Sequence, residues 1–178
     1  MKYKIGQIVF FKGNGFFSKL IKTYNFINYG ETGFSHTGII TKVERDRVIV
    51  SEALSNGFIN TRKDGSPNYY YKTWLDMKKR KCEIDIKTPI FKLINVEKNT
   101  NKYIGIPYGF LDILGILISL VFKFRFISLT GAKRLICSEA VARILYDSSN
   151  KKINFQEEFN KCYDLISPMD IYKSKFVQ

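Results

Sequence analysis

Apolar and polar residues alternate along this chain in patterns that predict several β-strands. β-branched and aromatic residues dominate residues 6–11, 35–43 and 47–54, and turn residues end each run. Strict alternation predicts another strand at 81–87, and a further strand is expected at 57–61. Because a short charged turn joins the runs at 35–43 and 47–54, these two strands are expected to form a hairpin.

Helical spacing of apolar residues predicts helices elsewhere. They cover residues 16–26, 69–78, 91–104 and 137–146. In the last of these helices the apolar residues fall on one face, and Glu139 and Arg143 are spaced to form an ion pair outside it. Ser167 and Pro168 supply an N-cap and a first-turn proline, so a final short helix is expected to begin there.

Residues 110–129 are apolar almost throughout. The uninterrupted part, residues 113–122, is only about half of the roughly 20 residues that a membrane span needs. A buried helix is the favoured interpretation, and a surface segment that enters a lipid interface beside Lys123 and Arg125 is the alternative. No linker or repeat divides the 178 residues, so the sequence predicts a single domain, 1–178.

The net charge of the chain is +13, and its sequence pI is near 9.6. Such a charge attracts anionic partners, among them anionic membranes, cell-wall polymers and nucleic acid. The basic residues are scattered, and no RNA-binding aromatic signature accompanies them. Nucleic acid is therefore not the favoured partner.

The three cysteines of the chain show no Cys-x-x-Cys spacing. Their odd number and spacing argue against a disulfide framework and a structural zinc site, so a reducing compartment fits best and no metal or cofactor is expected. Lys12 and Gly13 interrupt the apolar N-terminal stretch, and no signal peptide is predicted. The expected location is the cytoplasm, where the protein could also associate with a membrane.

Cys137 opens the predicted helix at 137–146. A free thiol is mostly protonated at neutral pH, but a helix N-terminus and a nearby imidazole both favour the thiolate, which is the attacking species. Cys82 and Cys162 begin no predicted helix and are interpreted as structural residues. An isolated cysteine is more often a small buried apolar residue, so this alternative also stays open for Cys137.

His36 is the only histidine, so any Cys–His mechanism must use it. It lies on the strand at 35–43, and Glu52 lies on the next strand of the predicted hairpin. In an antiparallel hairpin the numbers of directly opposite residues have a constant sum. If that sum is even and about 90, the side chains of His36 and Glu52 lie on one face of the sheet, within reach of each other. A carboxylate there can hold the ring tautomer and stabilise the imidazolium. The alternatives are a histidine bonded to backbone and a solvated glutamate.

Five short motifs occur in series at residues 6–10, 35–39, 50–53, 105–110 and 137–141. In these motifs and their order the chain resembles the circularly permuted papain-like cysteine hydrolases, which include the YiiX-like bacterial proteins and a poxvirus homologue. That family is related to NlpC-type cell-wall peptidases and to lecithin:retinol acyltransferase.

The resemblance implies an α+β fold in which an antiparallel sheet packs against the helix that carries the nucleophilic cysteine. It implies Cys137 as nucleophile, His36 as base and Glu52 as the partner that orients the imidazole. It also places Tyr108 where a hydroxyl could hold the oxyanion or substrate, although a core aromatic is an equally good interpretation. The sequence departs from many bacterial members at Gly109, where they carry an acidic residue.

Two functions from different classes therefore compete. The favoured one is a hydrolase or acyltransferase that forms an acyl-enzyme on an amide or ester of a cell-wall peptide or a lipid. The other is a non-catalytic module, of phage or viral type, that keeps the fold and docks on membrane or nucleic acid through its basic surface.

Overall fold

Four strands form one antiparallel sheet in the order β3-β2-β1-β4. The computed structural model describes residues 3–43, 48–53, 82–103, 106, 109 and 134–178. The strands are β1 (Ile8–Lys12), β2 (His36–Val43), β3 (Val48–Ser51) and β4 (Glu83–Lys87). They confirm the four main predicted strands and the hairpin. The expected strand at 57–61, the helix at 69–78 and the apolar stretch at 110–129 lie outside the described residues.

Five α-helices and one 3-10 turn accompany the sheet in the described part of the chain. They are α1 (Phe16–Tyr29), α2 (Val96–Asn101), α3 (Cys137–Ser148), α4 (Phe155–Phe159), the 3-10 turn at Tyr163–Leu165, and α5 (Pro168–Lys173). Helices α1, α3 and α5 confirm predicted helices, and α4 was not predicted. Among the described residues, none of the helices has the length and apolarity required to cross a bilayer.

The predicted helix at 91–104 is wrong over its first five residues. The backbone at both ends of this stretch bonds to distant parts of the chain: Ile90 N–H, just before it, donates to the Phe176 carbonyl at 2.9 Å, and Ile94 N–H donates to that of Ser148 at 2.8 Å. Asn95 then adopts a left-handed conformation with φ 53°, and α2 begins after it. These long-range backbone bonds replace the local bonds that a helix would need.

Strand β1 is buried on both of its faces. Ile8 and Phe10 belong to the core cluster that contains the apolar residues of α3, whereas Val9 and Phe11 belong to a second cluster on the other side of the sheet. Alternate strand residues point to opposite faces, which explains this division. Burial of each such side chain contributes about 1.5–3 kcal/mol, so β1 and its neighbour β2 are firmly held.

Helix α5 begins with the predicted cap. The Ser167 hydroxyl accepts from Asp170 N–H at 3.1 Å, and the Asp170 carboxylate accepts from Ser167 N–H at 2.7 Å, which completes a capping box. The same buried carboxylate pairs with Lys161 at 2.7 Å and accepts a hydrogen bond from the Tyr29 hydroxyl. Asp170 therefore ties the end of α1 to α5.

The loop that leads into β2 rests on α5. Phe34 N–H contacts the Met169 sulfur at 3.3 Å. Gly33, at φ 46°, lies so close to Met169 that a Cβ at this position would collide with the sulfur. A residue with a side chain would be strained there in both backbone and packing. The packing of α5 thus fixes the path of the chain just before His36.

Candidate active site

His36 and Glu52 meet across the β2–β3 hairpin. The residue numbers of the strand partners Ile39–Ser51 and Ile40–Val50 each sum to 90, and this register places Glu52 diagonal to His36 on one face. The partners beside the turn sum to 91, so the even register that the sequence interpretation required arises from a shift within the hairpin. Imidazole Nε2 lies 2.7 Å from Glu52 Oε2. The Glu52 side chain is fully buried, and that of His36 is 15% exposed. Burial strengthens this contact, because little water competes for either group.

Gly38 makes the approach of Glu52 possible, and sequence reasoning missed this role. A Cβ at position 38 would lie 2.9 Å from the Ser51 carbonyl oxygen and 3.1 Å from Glu52 Cβ. Any side chain there would push the end of β3 away from β2. The Phe11 ring also packs against the imidazole, with its centroid 5.4 Å from that of His36. The imidazole is therefore held by Phe11 as well as by Glu52.

Cys137 is the first residue of α3, as predicted, and only 2% of its surface is exposed. Backbone N–H groups of Thr37 and Ser138 donate hydrogen bonds to its sulfur. The Glu139 carboxylate accepts from Ile136 N–H and so secures the first turn of the helix. Neither backbone donor to the sulfur was identified from the sequence, because both depend on how α3 docks against β2.

The predicted ion pair between Glu139 and Arg143 is present, with Arg143 Nε 3.0 Å from Glu139 Oε1. The expectation that it lies outside the protein is wrong for Glu139, which is 6% exposed. Burial raises the pKa of Glu139, although the charge of Arg143 partly opposes this effect. The pair therefore belongs to the packing around the N-terminal turn of α3.

The Cys137 thiol and the His36 imidazole interact through charge and a side-chain hydrogen bond. Burial alone would lower the pKa of His36, but Cys137 and then Glu52 raise it to about 9. Burial likewise opposes ionisation of Cys137, yet the charge of His36 and its hydrogen bonds lower the pKa of the thiol. Because Glu52 occupies Nε2, Nδ1 is the ring nitrogen left for the sulfur. These shifts favour a thiolate–imidazolium pair at neutral pH.

The other two cysteines and Tyr108 complete the set of residues considered from the sequence. Cys82 is half-buried and Cys162 is exposed, and neither forms a disulfide. Tyr108 lies outside the described residues. Its neighbour Gly109 donates its N–H to the Leu135 carbonyl at 3.0 Å, two residues before Cys137.

Alkylation of Cys137 by iodoacetamide is expected to follow an unusual pH profile. Its lowered pKa keeps the sulfur ionised at pH values where an ordinary thiol, with a pKa of about 8.5, is protonated. The rate should stay high through neutral pH, fall as acid protonates the thiolate, and show a second inflection near pH 9, where His36 loses its proton. Peptide mapping by mass spectrometry at each pH measures this rate.

Cys162 serves as the internal control in the same samples. Its thiol is exposed and therefore open to the reagent, so its alkylation gives the reference profile. Identical profiles for Cys137 and Cys162 would contradict the ion pair.

The described residues form an α+β fold in which a four-stranded antiparallel sheet packs with helices. Among solved structures, it is similar to the crystal structure of YiiX, a metalloprotein from Escherichia coli O157:H7. The match covers 100% of this chain and 96% of YiiX, with a TM-score of 0.59 and 15% sequence identity. The likeness therefore shows a YiiX-like fold. No protein-family model matches the sequence, and no curated protein matches it.

Proposed function

We propose that this protein is a cysteine hydrolase or acyltransferase with a circularly permuted papain-like fold. Cys137 is the nucleophile, His36 the general base and acid, and Glu52 the residue that orients the imidazole. The observation that carries this proposal is the continuous interaction from the buried Glu52 through His36 to the sulfur at the start of α3. The chain order, with the histidine strand before the cysteine helix, supports the permuted arrangement.

The reaction follows from the charges of the pair. The Cys137 thiolate attacks the carbonyl carbon of an amide or ester, and a thioester forms as the C–N or C–O bond breaks. His36 gives its proton to the departing amine or alcohol. The neutral imidazole then takes a proton from water or another acceptor, which attacks the thioester and releases the acyl group. Tyr108 is proposed to donate a hydrogen bond to the oxyanion.

Glu52 acts through His36 and does not touch the substrate. Its carboxylate accepts from Nε2, so it keeps the ring oriented and stabilises the imidazolium when the thiolate forms. Because the Glu52 side chain is fully buried, its charge acts on His36 with little screening by water. This arrangement suits a pair that must stay ionised in the resting enzyme.

YiiX is described as a metalloprotein, but the candidate active-site residues of this chain do not fit a metal ion. The part of the chain that the structure describes holds no cluster of three His, Cys, Asp or Glu side chains that could bind a metal ion. Glu52 already occupies Nε2 of the single histidine, so the carboxylate and the sulfur do not converge on one point beside the ring. These residues do not fit a metal site, and no step of the proposed reaction uses one.

The substrate is proposed to be an acyl group in a cell-wall peptide or a lipid. The net charge of +13 favours substrates on anionic surfaces, which include both cell-wall polymers and membranes. The small exposure of Cys137 favours substrates that present a narrow acyl group to the sulfur.

Mixing the protein with p-nitrophenyl acetate tests the acyl-enzyme directly. We expect a rapid burst of p-nitrophenolate in proportion to the protein concentration, followed by slower turnover, because acylation precedes hydrolysis of the thioester. Stopped-flow absorbance measures both phases. A rate no greater than that of the heat-denatured protein would overturn the proposed hydrolase and favour the non-catalytic binding module.

A further inference from the structure

Helix α1 exposes large apolar side chains. Of its 14 residues only Asn25 is buried, whereas Phe16 is 69% exposed, Phe26 is 59% exposed and Ile27 is 62% exposed. Helices on globular proteins usually turn their large apolar side chains inward, whereas these three face outward. We propose that the outward face of α1 docks on a bilayer that contains anionic phospholipid.

Five of the six exposed residues of α1 lie on one side of the helix. Successive residues are about 100° apart around the helix axis, so Phe16, Thr23 and Ile27 project within about 40° of one another. Lys19 and Phe26 flank them on the same side, and all five residues are exposed. Asn25 projects about 180° from Phe16. We call Phe16, Lys19, Thr23, Phe26 and Ile27 the outward face.

Polar contacts hold α1 in this orientation. The Asn25 side-chain amide donates to the carbonyl oxygens of Thr32 and Phe34, both at 2.9 Å. The Tyr29 hydroxyl donates to the buried carboxylate of Asp170. Rotation of the helix to bury its apolar side would break these buried hydrogen bonds. The outward face is therefore a fixed feature of the fold.

The positive charge of α1 indicates which partner binds its outward face. Helix α1 contains two lysines, Lys19 and Lys22, and no Asp or Glu, and Lys19 lies on the outward face itself. A second copy of the chain would bring the same positive charge against it, which disfavours a dimer through this face. An anionic bilayer complements both properties: its acyl region accepts Phe16, Phe26 and Ile27, and its headgroups attract the lysines.

This docking would bring the candidate active site to the membrane surface. Gly13, just before α1, donates its N–H to the Ser35 hydroxyl at 3.1 Å, and Ser35 immediately precedes His36. The beginning of α1 thus lies beside the strand end that carries the imidazole. The docking proposal itself depends only on α1 and would stand if the proposed reaction failed.

Co-sedimentation with vesicles tests the docking surface. We expect the protein to bind vesicles of equal parts phosphatidylcholine and phosphatidylglycerol, to bind more weakly in high salt, and to bind pure phosphatidylcholine poorly. The double variant Phe16→Ser, Ile27→Ser should lower the partition coefficient at least about tenfold, because two apolar side chains no longer enter the interface. Lys19→Gln should give a smaller loss, confined to the anionic vesicles.

A matched control removes apolar surface from another part of the protein. Ile90 is 47% exposed and Ile94 is 42% exposed, so Ile90→Ser, Ile94→Ser deletes similar side chains away from α1. Lys98→Gln is the matching charge control at an exposed position. These variants should bind the anionic vesicles as the wild type does.

Four results on binding and assembly would overturn the proposal. They are absence of wild-type binding, unchanged binding of the α1 double variant, equal losses in the two double variants, and a dimer in solution that the α1 double variant abolishes. A large fall in the melting midpoint of the α1 double variant would also overturn it, because the face would then be packed within the protein.

Discussion

Replacement of Cys137 by alanine is expected to abolish the burst of p-nitrophenolate and to reduce ester hydrolysis by a factor on the order of 10⁴ or more. The sulfur is the only group in the proposed mechanism that forms a bond to the acyl carbon, so no other residue can replace it. The substitution is small and Cys137 lies at the first turn of α3, where alanine is readily accommodated. Stopped-flow absorbance of wild type and variant at equal concentration measures the effect.

The chain supplies two matched controls for this experiment. Cys82→Ala and Cys162→Ala remove the other two thiols of the chain, and both should keep nearly wild-type burst and turnover. Thermal unfolding of all three variants checks that each remains folded. Substantial turnover in folded Cys137→Ala protein would show that the nucleophile is elsewhere.

Replacement of His36 by alanine is expected to reduce turnover by about 10²–10⁴-fold. The imidazole raises the thiolate population and also transfers the proton to the leaving group, so its removal affects both steps. The pKa of Cys137 should rise in this variant, because the charge of His36 is the largest influence that opposes burial. The pH dependence of alkylation then moves toward that of Cys162, and added imidazole should restore part of the activity.

Glu52→Gln tests how much the charge of the carboxylate contributes to turnover. The amide retains an oxygen acceptor for the ring but lacks the negative charge, so we expect a loss smaller than that of His36→Ala and a lowered pKa of His36. A His36→Ala variant with wild-type turnover and an unchanged alkylation profile would exclude His36 from the reaction.

The sequence predicted the hairpin from its charged turn, and it predicted that His36 and Glu52 share one face. It did not predict the register shift: strand partners beside the turn sum to 91, and a shift between Ile40 and Lys42 gives the even sum of 90 nearer the site. The start of α3 at Cys137 was also predictable, since its apolar face begins immediately afterwards. In both places the relevant contacts lie within one supersecondary element, so local patterns contain the information.

Other features depend on distant contacts, and local patterns therefore missed them. Residues 91–95 have a helical pattern, but bonds to Phe176 and Ser148 determine their conformation. The role of Gly38 becomes visible only when Glu52 is placed beside it, and the N–H of Thr37 approaches the sulfur only when α3 has docked. Helix α4 is five residues long, too short for a periodic signal.

The site of acylation tests the proposed chemistry most directly. The protein is mixed with p-nitrophenyl acetate, quenched in acid during the burst, digested and analysed by mass spectrometry. We expect a single acetyl group on the peptide that contains Cys137, and none in the His36→Ala protein at the same time point. Acetylation spread over Cys82, Cys162 and surface lysines, with no preference for Cys137, would contradict the proposed role of this cysteine.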